Sequence, residues 1–155
     1  MAGFPAMKLT AQTRYALRIL LDLAANGGNA PRPIKEIAAS QGISEKFIAR
    51  IVVPMRRAGL LASARGVRGG LLLGRFPEKI SLLDILEATD GPLAIATCLA
   101  RPGTCPRQGR CAAECAWRRV NDALADTLRA IPLSEILADE RRFAASSSPE
   151  PDYCI

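Results

Sequence analysis

The tightest constraint on this chain is a single glycine set between two short apolar stripes. Upstream, Pro33 can open a helix whose buried stripe is Ile34, Ile37 and Ala38, and Gly42 can close it. Downstream, Ser44 caps a second helix carrying Phe47, Ile48, Ile51 and Met55 at helical spacing. Two amphipathic helices joined by so tight a turn predict a helix-turn-helix. Pro54 removes a backbone donor from the second helix, so a kink is expected there.

Gly59 ends that helix. Residues 60–64 then read as a strand, Arg65-Gly66-Val67-Arg68-Gly69-Gly70 as a turn, and residues 71–74 as the returning strand. The glycines supply the torsions of a tight hairpin, while Arg65 and Arg68 put two cations at its tip, which predicts a wing. On the second helix Lys46 and Arg50 lie four apart, opposite Phe47 and Ile51, aimed outward at a major groove. Ser44 at the helix start and Arg57 near its end complete the expected DNA contacts. The competing readings are a solvated basic helix face and an ordinary basic hairpin.

Charge weighs between these readings. Residues 1–80 hold 13 Lys and Arg against 4 Asp and Glu, a balance of +9, whereas residues 81–155 hold 8 against 11, a balance of −3. The basic half is therefore the expected partner of a polyanion, here double-stranded DNA. The chain lacks histidine, a nucleotide-binding loop and a C-x-x-C pair, so no enzyme is expected. No run approaches the ~18 apolar residues of a membrane span and the first residues carry no charged-then-apolar leader, so the expected compartment is the cytoplasm, with no membrane partner.

The remaining elements read as helices. A first helix runs from a Thr10 cap to Asn26 and stops at Gly27-Gly28-Asn29. Ser81 and Asp84 have capping-box spacing at the start of a core helix that Gly91 closes. From residue 112 to 130 a long amphipathic helix sets Trp117, Val120, Leu124 and Leu128 along one face, spaced like a seam for a partner helix. An intramolecular core stripe is the alternative. Pro132 interrupts, a short final helix covers 133–137, and the end has the composition of a disordered tail. With 49% hydrophobic but only 5% aromatic residues the core is aliphatic, and the expected fold class is mainly α with a small β wing.

Four of the five cysteines fall between Cys98 and Cys115; the fifth, Cys154, lies in the expected tail. Cys98, Cys105 and Cys111 are spaced C-x6-C-x5-C, with Pro102, Gly103, Pro106 and Gly109 between them, so the loop can fold three thiolates toward one point. Paired C-x2-C knuckles, the usual zinc pattern, are absent. An iron-sulfur cluster, a cofactor-free thiol switch and a zinc site all remain open on these residues.

The order of several short motifs carries a resemblance. Met7-Lys8-Leu9-Thr10, Tyr15-Ala16-Leu17-Arg18, Glu36-Ile37-Ala38, Ile43-Ser44, Ala58-Gly59-Leu60, Arg65-Gly66 with Gly69-Gly70, and the three spaced cysteines together resemble the IscR/NsrR/RirA family of bacterial transcription regulators over about residues 7–137. The likeness is greatest to its iron-responsive RirA branch. It implies a winged helix-turn-helix homodimer, paired through a long C-terminal dimerisation helix, that represses a roughly palindromic operator. It also implies an iron-sulfur cluster, 4Fe-4S favoured over 2Fe-2S, on Cys98, Cys105 and Cys111, sensing iron, redox state or nitric oxide. The fourth ligand departs from the pattern: the first-helix Asp of some relatives is Arg14 here, and the His of others is Glu114. Glu114 by oxygen or Cys115 by sulfur are the candidates, with packing in the dimer helix the alternative for Cys115. The implied organisation is 7–80 as DNA-binding domain, 81–111 as linking helix and cysteine loop, 112–140 as dimerisation region and 141–155 as disordered tail. The other readings are a cofactor-free thiol-switch regulator and, more remotely, a redox or cluster-transfer protein.

Overall fold

The computed structural model describes residues 9–26, 30–66 and 68–146. Helix α1 (Ala11–Asn26) begins where the Thr10 hydroxyl accepts the Thr13 N–H. Its expected stop at Gly27-Gly28-Asn29 lies outside the described residues. Helix α2 (Ile34–Gln41) follows Pro33 and ends on Gly42, whose φ of 64° is the left-handed torsion that glycine adopts without penalty. Helix α3 (Glu45–Arg57) starts where the Ser44 hydroxyl accepts the Phe47 N–H at 3.2 Å, and it continues through Pro54. Strands β1 (Leu61–Ala64) and β2 (Gly70–Leu73) pair antiparallel with Leu61 opposite Leu73 and Ala64 opposite Gly70.

A single 3-10 turn, Pro77–Lys79, leads to helix α4 (Leu82–Asp90), which carries the full Ser81–Asp84 capping box. One-turn helix α5 (Thr97–Ala100), long helix α6 (Ala112–Arg129) and helix α7 (Leu133–Ser146) complete the chain. The module is mainly helical with one small two-stranded sheet, as expected.

The main core is aliphatic. Ile19, Leu20, Ile37, Ile48, Ile51, Met55, Leu60, Ile80, Ile85 and Leu133 are fully buried in one cluster. Helix α7 joins this core through Leu133 and Leu137, while Ile80 and Leu82 hydrogen-bond to the α6–α7 connection at Leu133 and Ile131. A smaller cluster of Leu83, Leu86 and Leu93 receives Leu124, Ala125 and Leu128 of α6. The expected seam on α6 is thus divided: Leu124 and Leu128 pack within the chain, whereas Trp117 and Val120 stand about half exposed.

The final helix corrects the sequence reading. A helix over 133–137 and a tail from 141 were expected, yet α7 runs to Ser146. Beyond Leu137 the segment loses its buried stripe, so apolar periodicity gives no signal there. Ala138, Glu140, Arg141, Arg142, Ala144 and Ala145 are nevertheless strong helix formers, and propensity carries the helix on. No described helix is long and apolar enough to cross a membrane.

Candidate functional site

Helix α3 is held from below and bare above. Ile48, Ile51, Val52 and Met55 are buried, while Lys46, Arg50, Arg56 and Arg57 are exposed. Its tilt is fixed at the N-terminal end, where Phe47 meets the Tyr15 ring edge-on at 5.4 Å. Arg18 of α1 lies over that same Tyr15 ring and reaches across to Gln41, donating to its carbonyl at 2.9 Å and to its side-chain oxygen at 3.1 Å. The turn that introduces α3 is therefore tied to α1 by an arginine as well as by the core.

The wing places Arg65 and Arg68 at its tip, both exposed. A 2.9 Å bond from the Gly69 N–H to the Gly66 carbonyl closes the turn. Ser44, Lys46, Arg50, Arg57, Arg65 and Arg68 thus belong to one module, and each is exposed.

Beneath that module lies a polar network that sequence reading missed. Asp22, 5% exposed, interrupts the buried face of α1. Its Oδ1 accepts from the Ser40 hydroxyl at 2.9 Å and from the Gln41 amide at 3.2 Å, and its Oδ2 lies 2.9 Å from Arg32 Nε. Arg32 in turn bridges β2: its N–H donates to the Leu71 carbonyl and its carbonyl accepts the Leu71 N–H, both at 2.8 Å. The signal that could have revealed this is the lone acid in the apolar run Ile-Leu-Leu-Asp-Leu.

A second missed contact joins α1 to α4. The Asp90 carboxylate accepts from the Thr10 hydroxyl at 2.7 Å and the Thr13 hydroxyl at 2.6 Å. An acid at the last residue of α4 opposes that helix's dipole but favours the N-terminus of α1, so the tertiary contact outweighs the local preference.

The cysteine segment is built differently. Cys98 sits in α5, Cys105 in a succession of turns, Cys111 at the N-cap of α6 and Cys115 one turn further, its N–H donating to the Cys111 carbonyl at 3.3 Å. All four are free thiols; the first three are partly buried and Cys115 is exposed. The segment is fastened to α6 at its ends, by the Ile95 N–H to Asn121 at 3.1 Å and the Gly109 N–H to Glu114 at 3.0 Å.

Glu114 is the one buried residue of α6. One carboxylate oxygen holds Gly109, the other takes Arg118 at 2.7 Å. The Gly109 N–H holds its pKa below the ordinary value; burial opposes this, and the Arg118 hydrogen bond and charge add to it. The expected fourth-ligand candidates therefore differ, since Glu114 has both oxygens engaged whereas Cys115 is free. Arg14, in the position of the relatives' acid, is exposed on α1. Among the described residues no three Cys, Asp or Glu side chains converge closely enough to hold one metal ion. In donor chemistry, free thiols are the ligands an iron-sulfur cluster takes, and the partly buried Cys98, Cys105 and Cys111 supply three of the four such a cluster uses.

With this geometry in hand, the known proteins it resembles are informative. The family model described as "Rrf2: Iron-dependent Transcriptional regulator" matches residues 9–139. The HTH-type transcriptional regulator IscR of Vibrio vulnificus is 32% identical over 149 residues, covering 96% of this chain and 88% of that protein. Among solved structures, CymR (YrzC), the global cysteine regulator of B. subtilis, superimposes with a TM-score of 0.70 at 31% identity, over 85% of this chain and 97% of that one. IscR of T. potens superimposes with a TM-score of 0.69 at 27% identity, over 96% and 97%.

Proposed function

The chain belongs to the Rrf2 family of transcriptional regulators, and on that premise we propose that it is a homodimeric repressor whose grip on DNA is set by the state of its cysteine segment. The observation that carries the reading is the exposed row on α3 and the wing, Lys46, Arg50, Arg65 and Arg68, on a module whose opposite face is buried. Relatives that regulate transcription make an enzyme the wrong class, and a regulator of this kind works beside the chromosome, in the cytoplasm.

Lys46 and Arg50 reach base edges in the major groove, and Arg65 and Arg68 reach the backbone or the adjacent minor groove. Arg57 takes a phosphate. The Ser44 hydroxyl accepts from the Phe47 N–H, which leaves its own hydrogen to donate to another phosphate. Two copies pair through the half-exposed Trp117 and Val120 of α6. The two reading heads are then related by a two-fold axis, so the operator is roughly palindromic with half-sites one or two helical turns apart.

Cys98, Cys105 and Cys111 would hold an iron-sulfur cluster, 4Fe-4S in preference to 2Fe-2S, with Cys115 or, on release from Gly109, Glu114 as the fourth ligand. Bound there, such a group would supply iron sensitive to scarcity, oxidants or nitric oxide. The residues around it do the rest: Asn121 and Glu114 fasten the segment to α6, so a rearranged segment shifts the helix that pairs the subunits. A second reading, a cofactor-free thiol switch, is favoured by the separation of the thiols and by the likeness to a regulator named for cysteine.

Anaerobic purification tests both. A brown protein with iron and sulfide near stoichiometry, whose affinity for duplex DNA selected from a random pool changes on chelation, supports the cluster. A colourless protein whose binding responds to thiol oxidation supports the switch. Binding indifferent to both treatments overturns the sensor.

A further inference from the structure

Besides its buried Leu61 and Leu71, the wing of this protein is attached to the rest of the DNA-reading module through Arg32. Its backbone pairs with Leu71 in both directions at 2.8 Å. Gly70, the first residue of β2, lies so close that a Cβ there would stand 2.3 Å from the Arg32 carbonyl oxygen, so only glycine fits. Gly70 pairs with Ala64; the tip cation Arg65 directly follows Ala64, and Arg68 stands two residues before Gly70. A shift of Arg32 would therefore be passed to the wing tip.

The Arg32 side chain points the other way, into the module, against Asp22. That carboxylate is 2% exposed and the guanidinium side chain 18%. Neither Asp22 Oδ2 nor Arg32 Nε makes an aligned hydrogen bond among the described residues, so the 2.9 Å contact is held by charge. The other oxygen of Asp22 binds Ser40 and Gln41, at the end of α2. Gln41 directly precedes the Gly42 turn and the Ser44 cap of α3. One buried carboxylate thus touches the segment that launches the recognition helix and the segment that carries the wing.

The geometry points to Asp22 and Arg32 as positioning residues for DNA recognition, which fix the distance and angle between α3 and the wing. Arg32 belongs to the basic half of the chain yet contributes its charge inward, to Asp22. The pair is a costly way to gain stability, because two charges must leave water. Its return lies in geometry: the ion pair has a defined length and direction, whereas aliphatic contacts in the same place slide. The inference rests on the proposal that the wing tip touches DNA.

A cycle of variants tests it on the full-length protein, with duplex DNA selected from a random pool by the wild-type chain as the probe. Asp22→Asn with Arg32→Gln removes both charges together, so that neither is left buried alone. Arg65→Ala with Arg68→Ala removes the wing-tip cations. With the wing intact, the first pair of changes is expected to weaken binding about 10-fold and to lower the salt slope of log K by about 2, the share of two phosphates. With the tip cations already removed, the same changes are expected to cost less than about 2-fold.

Equal losses in both backgrounds, or no loss in either, overturn the positioning role. A general weakening of the fold would cost the same with or without the tip cations. If the tip changes alone leave affinity unaltered, the wing-contact reading itself has failed, and the positioning role falls with it. Should the double-neutral protein not fold, Arg32→Lys keeps the charge but replaces the planar guanidinium with a flexible ammonium that lacks its fixed direction, and runs through the same cycle.

Discussion

The DNA-reading module and the cysteine segment are of comparable interest chemically but are held in opposite ways. From α1 to β2, the proposed contact residues stand on or beside elements whose other face is buried: Lys46 and Arg50 back onto Ile48 and Ile51, and the wing backs onto Leu61 and Leu71. Between Gly91 and Cys111 only Leu93 is buried. That segment is kept in place by turns, by Asn121 at one end and by Glu114 at the other. The first region presents a surface that exists before its partner arrives. The second presents donors whose arrangement packing does not dictate, as suits a segment proposed to change state.

The largest test of this contrast is in the core. Ile51→Ala empties a fully buried site under α3 and is expected to cost about 2–5 kcal/mol of stability. Urea unfolding followed by circular dichroism measures it. A loss below about 1 kcal/mol would mean that α3 is not held by the core, and the contrast would collapse.

The same contrast explains what the sequence disclosed. Gly42, the Ser44 cap, the Ser81–Asp84 box and the wing hairpin are local signals, each read from a few neighbouring residues, and the structure realises them, with the returning strand starting at Gly70 rather than at 71. Family likeness, through the order of those motifs, fixed the regulator class. The Asp22–Arg32 pair and the Asp90–Thr13 contact join residues 10 and 77 positions apart; the lone acid at 22 marks one end of the first, but no periodicity announces the partner of either. One-turn helix α5 and the extension of α7 were missed for the converse reason: neither shows a buried stripe.

An intermediate effect is expected when the cysteines themselves change. Cys98→Ser, Cys105→Ser and Cys111→Ser together alter three partly buried groups that belong to neither hydrophobic cluster. Stability of the metal-free protein is expected to move by no more than about 0.5 kcal/mol per site, the range of substitutions outside the core. Iron and sulfide retained on anaerobic purification are expected to fall to background. A protein that keeps its colour without these thiols would remove them from the proposed site, and one that unfolds would show that the segment is a core after all.

The smallest effect concerns the clasp that stands in for a core in the cysteine segment. Glu114 accepts the Gly109 N–H, and that bond is the main reason its carboxyl titrates below the ordinary value of 4.5. A carboxyl whose folded pKa lies below its unfolded one stabilises the fold fully above the unfolded value and loses that contribution as pH falls through the folded value. The Gly109 amide resonance in the metal-free protein is therefore expected to be constant near neutrality and to shift with a midpoint below 4.5, and Glu114→Gln is expected to abolish that titration. Because Gln keeps an acceptor oxygen but loses the charge, the bond to Gly109 weakens without the helix being disturbed. A midpoint at or above the ordinary value would mean that Glu114 does not hold the loop, leaving the segment without one of its two clasps and the two regions still further apart in how they are built.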